Sequence, residues 1–91
     1  DFRAGRFFEA HERFEDAWRI AEGAEKLRLQ GLVQLAAGFH KIATIGAGSP
    51  GARELLEKAR AKLAPEPALA AEIGRCLETL ASGSKPKPPE L

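Results

Sequence analysis

The sequence predicts an all-α fold: a compact orthogonal bundle of about four helices, residues 1–81, followed by a flexible tail over residues 82–91. Three observations carry this expectation. Leu and Ala dominate the apolar residues, while β-branched residues are few and Tyr and Met are absent. No stretch alternates with the period of two that a half-buried strand requires. Apolar residues recur instead at intervals of three and four, the period of an amphipathic helix. With 91 residues there is room for one modest core and no second.

The first full helix is expected from Arg6 to about Glu22, because Gly5 interrupts the pattern before it and Gly23 is suited to close it as a C-terminal cap. A second helix runs from about Ala24 to Ile45. Leu27, Leu29, Leu32, Val33, Leu35, Ala36, Phe39, Ile42 and Ala43 point in most directions around it, which predicts the central, most buried element. Its polar residues Gln30, Gln34, Lys41 and Thr44 form a narrow stripe expected to face solvent, while His40 projects between the directions of Val33 and Ala36. Gly46-Ala47-Gly48-Ser49-Pro50 is a turn, with Ser49 as N-cap and Pro50 in the first helical position. Ala52, Leu55, Leu56, Ala59 and Leu63 then give a third helix one apolar stripe, and Glu54 faces Lys58 one turn on. Pro65-Glu66-Pro67 breaks it. A fourth helix follows with Leu69, Ile73, Cys76, Leu77 and Leu80 inward, and from Ser82 a run rich in Ser, Lys and Pro has little to bury.

Charge bounds the partners. Fourteen Lys and Arg face thirteen Asp and Glu, interspersed along the chain, so the concentrated basic face of a nucleic-acid binder is missing and no nucleic acid is expected. No uncharged apolar run approaches the ~18 residues of a membrane span, and no secretory leader pattern opens the chain. The expected setting is the cytoplasm, with no membrane partner. The single cysteine, Cys76, falls on an apolar face and is expected as a buried thiol. Asp1-Phe2-Arg3-Ala4-Gly5 reads as the end of a preceding element, so further residues upstream are expected.

Chemistry concentrates in the first helix. At 100° per residue, Phe7, His11, Phe14, Glu15 and Trp18 fall within an arc of about 100°, with Phe8 at its edge. A core face thus holds a histidine and a carboxylate, and burying both unpaired would cost several kcal/mol. His11 and Glu15 stand one turn apart, which suits a direct hydrogen bond or joint ligation of a metal. The His-Glu-x-x-His helix of zinc proteases is not matched, because its fifth position here is Glu15. The Glu-x-x-His element of di-iron bundles is also missing. His11, Glu15 and His40 would still give two imidazoles and a carboxylate, a suitable set for a divalent metal. No serine or cysteine stands near a base, and no glycine-rich phosphate loop follows a strand.

Gly5-Arg6-Phe7-Phe8-Glu9-Ala10-His11-Glu12, then Glu15 and Trp18, then Leu29-Gln30-Gly31-Leu32-Val33-Gln34-Leu35-Ala36, and finally Gly51-Ala52 leading into Leu55-Leu56, resemble the family catalogued as domain of unknown function 309. The resemblance covers about residues 2 to 63. It implies a compact helical bundle whose signature falls on His11, Glu12, Glu15, Trp18, Gln30 and Gln34, with the two glutamines turned inward and no established activity to carry over. Ala4 to Ala10 is also similar to tetratricopeptide helical hairpins, but the repeat does not recur.

Three readings of the cluster follow, with His11, Glu12, Glu15, Trp18, Gln30, Gln34 and His40 as its candidate residues. In the first, His11 and Glu15 form a satisfied polar pair between helices, joined by Gln30 or Gln34, so that Glu15→Ala costs about 2–4 kcal/mol. In the second, the cluster lines a pocket for a small ligand or a protein partner, a further copy of the chain included; a partner-binding module would expose an apolar groove around Phe2 and Phe7. In the third, no cofactor being otherwise expected, a divalent metal sits on His11, Glu15 and His40, with Glu12 as general base of a hydrolase-like enzyme.

Overall fold

Four helices follow one another in the computed structural model, which describes Phe2 and residues 4–91: α1 (Phe7–Ile20), α2 (Gly23–Thr44), α3 (Pro50–Lys62) and α4 (Pro67–Ala81). No strand occurs among the described residues. Asp1 and Arg3 lie outside them, and with them part of the expectation about what precedes the bundle. The whole measures 37 × 25 × 21 Å.

The expected helices are present, and α2 is the central one. It buries Gly31, Leu32, Leu35, Ala36, Gly38, Phe39 and Ile42 and is flanked by α1 on one side and α3 on the other, while α4 rests against α3. Two glycines set how closely α2 meets α3. A Cβ on Gly31 would stand 2.9 Å from Cγ of Leu63, and one on Gly38 would stand 3.0 Å from Cδ2 of Leu56, so these positions have no space for a side chain. Leu35, Leu56, Leu63 and Ile73 are wholly buried around that seam. The N-terminal turn folds back, with the Gly5 amide donating to the Phe2 carbonyl at 3.1 Å. Phe2 then meets Phe7 edge-on at 5.1 Å and Phe39 at 5.6 Å, and is only 4% exposed. Phe2 and Phe7 therefore belong to the core, and the exposed apolar groove expected of a partner module is not found there.

Helix boundaries follow the sequence with one correction. Ser49 caps α3 as expected, its side chain accepting from the Ala52 amide at 3.3 Å, with Pro50 behind it. Gly23 does not close α1, which ends at Ile20 and leaves through extended Ala21. Gly23 opens α2 instead, at φ +61°, a left-handed conformation that glycine adopts without a Cβ penalty. After α4 the tail has no helix, but in place of the flexible run expected it packs: it runs back along α4, Pro89 is buried, and the Glu90 amide donates to Glu72 Oε2 at 3.3 Å. Cys76 is free and buried, as expected, and its thiol donates to the Lys87 carbonyl at 3.4 Å. Burial pushes that thiol's pKa up, with Glu72 adding to the shift and Arg75 opposing it. No helix among the described residues is long and apolar enough to cross a membrane.

Candidate functional site

The arc read from the sequence faces α2, but it is shallow. Ala10 is the one fully buried residue of α1, while Phe7, His11, Phe14, Glu15 and Trp18 are all half-buried. The His11 and Glu15 side chains keep 26% and 32% of their surface. Their Nε2 and Oε2 atoms stand 3.7 Å apart, too far for a hydrogen bond and close enough for an ion pair once the imidazole is protonated. Glu15 turns along its own helix, accepting from Arg19 Nη2 at 2.8 Å. The satisfied His11–Glu15 pair is therefore not formed: His11 Nδ1 is buried and has no hydrogen-bond partner.

What surrounds His11 comes from α2. Phe8, His11, Ala37, His40 and Lys41 line a cleft of about 180 Å³ between the two helices. The Phe8 ring lies nearly parallel to the His11 imidazole at 6.4 Å between centroids and tilts against that of His40 at 5.6 Å. Phe8 remains 53% exposed, standing at the mouth rather than in the core. The Lys41 side chain passes beside the first turn of α3, where a Cβ on Gly51 would lie 3.5 Å from its Nζ.

The other expected site residues lie elsewhere. Trp18, two turns from His11, takes Lys26 Nζ over its ring at 4.8 Å, a cation–π contact across the α1–α2 turn. Gln34 is half-buried and turned toward α3, accepting from Lys62 Nζ at 2.9 Å, so it is neither in solvent nor joined to His11. Gln30 is half-buried on α2, and Glu12 is exposed. The metal reading loses its geometry as well. Among the described residues no three of His, Cys, Asp and Glu converge to hold a metal ion, and one oxygen of the Glu15 carboxylate is taken by Arg19. Three residues of the cleft were outside the expected set: Phe8, placed at the edge of the arc, Ala37, and Lys41, assigned to the solvent stripe. The i, i+3 spacing of Phe8 and His11 was the available signal.

A wider groove of about 570 Å³ runs between α2 and α4, floored by Phe14, Leu29, Leu32 and Leu69. Its central polar groups already satisfy each other, Arg28 Nε donating to Glu66 Oε2 at 2.8 Å. The α1–α2 cleft is different in that one of its lining residues, His11, carries an orphaned polar atom.

The sequence profile of a family described as a domain of unknown function, DUF309, matches residues 1–47, which is α1, α2 and the turn after them. The chain belongs to this family. The DUF309 match takes in all six signature positions expected from the resemblance, and the cleft, while Gly51-Ala52 and Leu55-Leu56 lie beyond it. No curated protein and no solved structure matches the chain.

Proposed function

We propose that the α1–α2 cleft of this DUF309 domain is a binding pocket for a small ligand. The observation that carries the reading is His11 Nδ1, buried at a cleft and without a hydrogen-bond partner. Leaving such an atom unpaired costs about 1–3 kcal/mol, whereas a structural histidine is normally satisfied by its neighbours. A bound ligand offers the missing partner once the ring turns about χ2. The volume supports something small: at about 30 Å³ per water, 180 Å³ holds roughly six water-sized groups. A half-exposed phenyl ring at the mouth and the Ala37 methyl inside supply the apolar wall that ligand sites use beside a few polar groups.

The test is an NMR titration of the protein with small probes of each charge type, acetamide, acetate and imidazole, following the ring C–H signals of His11 and His40. At least one probe is expected to shift both rings to saturation, and Ala37→Leu, which fills the cleft, is expected to abolish the response. Unmoved rings with every probe, or an Ala37→Leu protein that responds like the parent, would sink the reading.

A further inference from the structure

The ionisable side chains that line the cleft can carry charge of one sign only. His11 comes from α1, His40 and Lys41 come from α2, and no carboxylate lines the space. Lys41 Nζ also lies beside Gly51, in the first turn of α3, where the partial positive charge of that helix's N-terminus adds to the same sign. The acidic group facing the cluster is Glu15, 3.7 Å from His11 Nε2. Its charge is already shared with Arg19, which holds its other oxygen at 2.8 Å.

From this arrangement we propose that the cleft takes a small oxyanion, a carboxylate or phosphate group, held against His11, His40 and Lys41 with the imidazoles protonated. The inference rests on the binding-pocket reading above and adds the ligand's chemical class. Protonation turns each imidazole into a donor at both nitrogens. For His11 one of those donors is on the Glu15 side, and the other, Nδ1, has no acceptor in the protein. An oxyanion supplies both the acceptor and the countercharge, in a setting where two imidazolium rings and an ammonium otherwise repel one another. A neutral ligand would supply the acceptor alone. A cation would meet three groups of its own sign. Proton uptake and anion binding are therefore coupled: each favours the other, and affinity rises as pH falls.

The closing experiment compares inorganic phosphate, acetate and acetamide, the last a neutral match to acetate in size, at pH ~5.5 and pH ~8, on either side of the ordinary imidazole pKa of about 6.5. The readout is again the ring signals of His11 and His40. Acetate, whose own charge is nearly the same at both pH values, is expected to bind at the lower pH and to weaken by about tenfold or more at the higher one; phosphate, which gains negative charge over the same range, tests the anion class at each pH. Lys41→Gln is expected to weaken acetate binding about fivefold without moving the melting temperature, since the ammonium is partly solvated. A response to phosphate and not acetate, or the reverse, supports the proposal and selects the anion. If acetamide shifts the rings as strongly as acetate, or if the affinity for acetate is the same at both pH values, the oxyanion proposal is overturned while the pocket stands. If no probe shifts them at either pH, both are overturned.

Discussion

Toward α3, helix α2 presents Gly31, Leu35 and Gly38 to Leu56, Ala59 and Leu63, and a single added methyl at either glycine would meet a leucine side chain at 3.0 Å or less. Toward α1, the same helix presents Ala37 and His40 to Phe8 and His11, and a cleft of about 180 Å³ stays open between them. Both seams bring two helices of one bundle together. What separates them is what lines each seam: at Gly31 and Gly38 the leucines of α3 pack directly on the α2 backbone, whereas on the α1 side the rings of Phe8, His11 and His40 meet without filling the space between them. Slack in a seam weakens packing, and it is also what leaves room for imidazoles, an ammonium and a ligand. Stability and chemistry are thus assigned to opposite faces of one helix.

The comparison breaks first at Leu56. Leu56→Ala removes a wholly buried side chain from the tight seam and is expected to cost about 2–5 kcal/mol, read by chemical denaturation. A loss below about 1 kcal/mol would mean that this face has slack of its own. Gly31→Ala comes next. The new methyl must push Leu63 Cγ from 2.9 Å, so a loss of about 1–3 kcal/mol is expected even though alanine is the better helix former by about 1 kcal/mol. The smallest effect belongs to the open seam. Glu15→Ala removes a half-exposed ion pair with Arg19 and a longer contact with His11, and is expected to cost less than about 1 kcal/mol. That is below the 2–4 kcal/mol that the sequence alone suggests, and a loss of that larger size would show the two seams to be equally intolerant.

The disagreement over Glu15 marks where sequence reasoning stops. Periodicity placed Phe7, His11, Phe14, Glu15 and Trp18 on the face that meets α2, and all five are half-buried there, so direction was legible. Depth was not, because it depends on how the side chains of another helix fill the seam, and that is decided by Ala37 and His40 on α2. Ser49 and Pro50 were readable because capping is local. Gln34 was not: its partner is Lys62, 28 residues on, and no pattern within α2 distinguishes a glutamine in solvent from one that meets a lysine of α3. Gly23 shows the opposite lesson, since a glycine between two helices satisfies the requirements of an end and of a beginning equally well, and here it begins α2. The candidate site was half legible for the same reasons. His11 and His40 stood out as histidines on apolar faces, whereas Phe8 and Lys41 acquire their place in the cleft only from the pairing of α1 with α2.

Each helix rests on its neighbour in the chain, α1 on α2, α2 on α3, α3 on α4, and no other two helices come close along their backbones. Each long-range helix contact joins two elements that are consecutive in the chain, which keeps the loops to be closed short. Assembly can therefore proceed like a zipper outward from α2. The Arg28–Glu66 bridge, spanning 38 residues, then fastens the start of α4 after its own helix has formed, and the tail closes over Cys76 behind it. Among the helices α4 packs on α3 alone, but it is well anchored there: it buries Ile73, Gly74, Cys76 and Leu80, whereas α1 buries only Ala10.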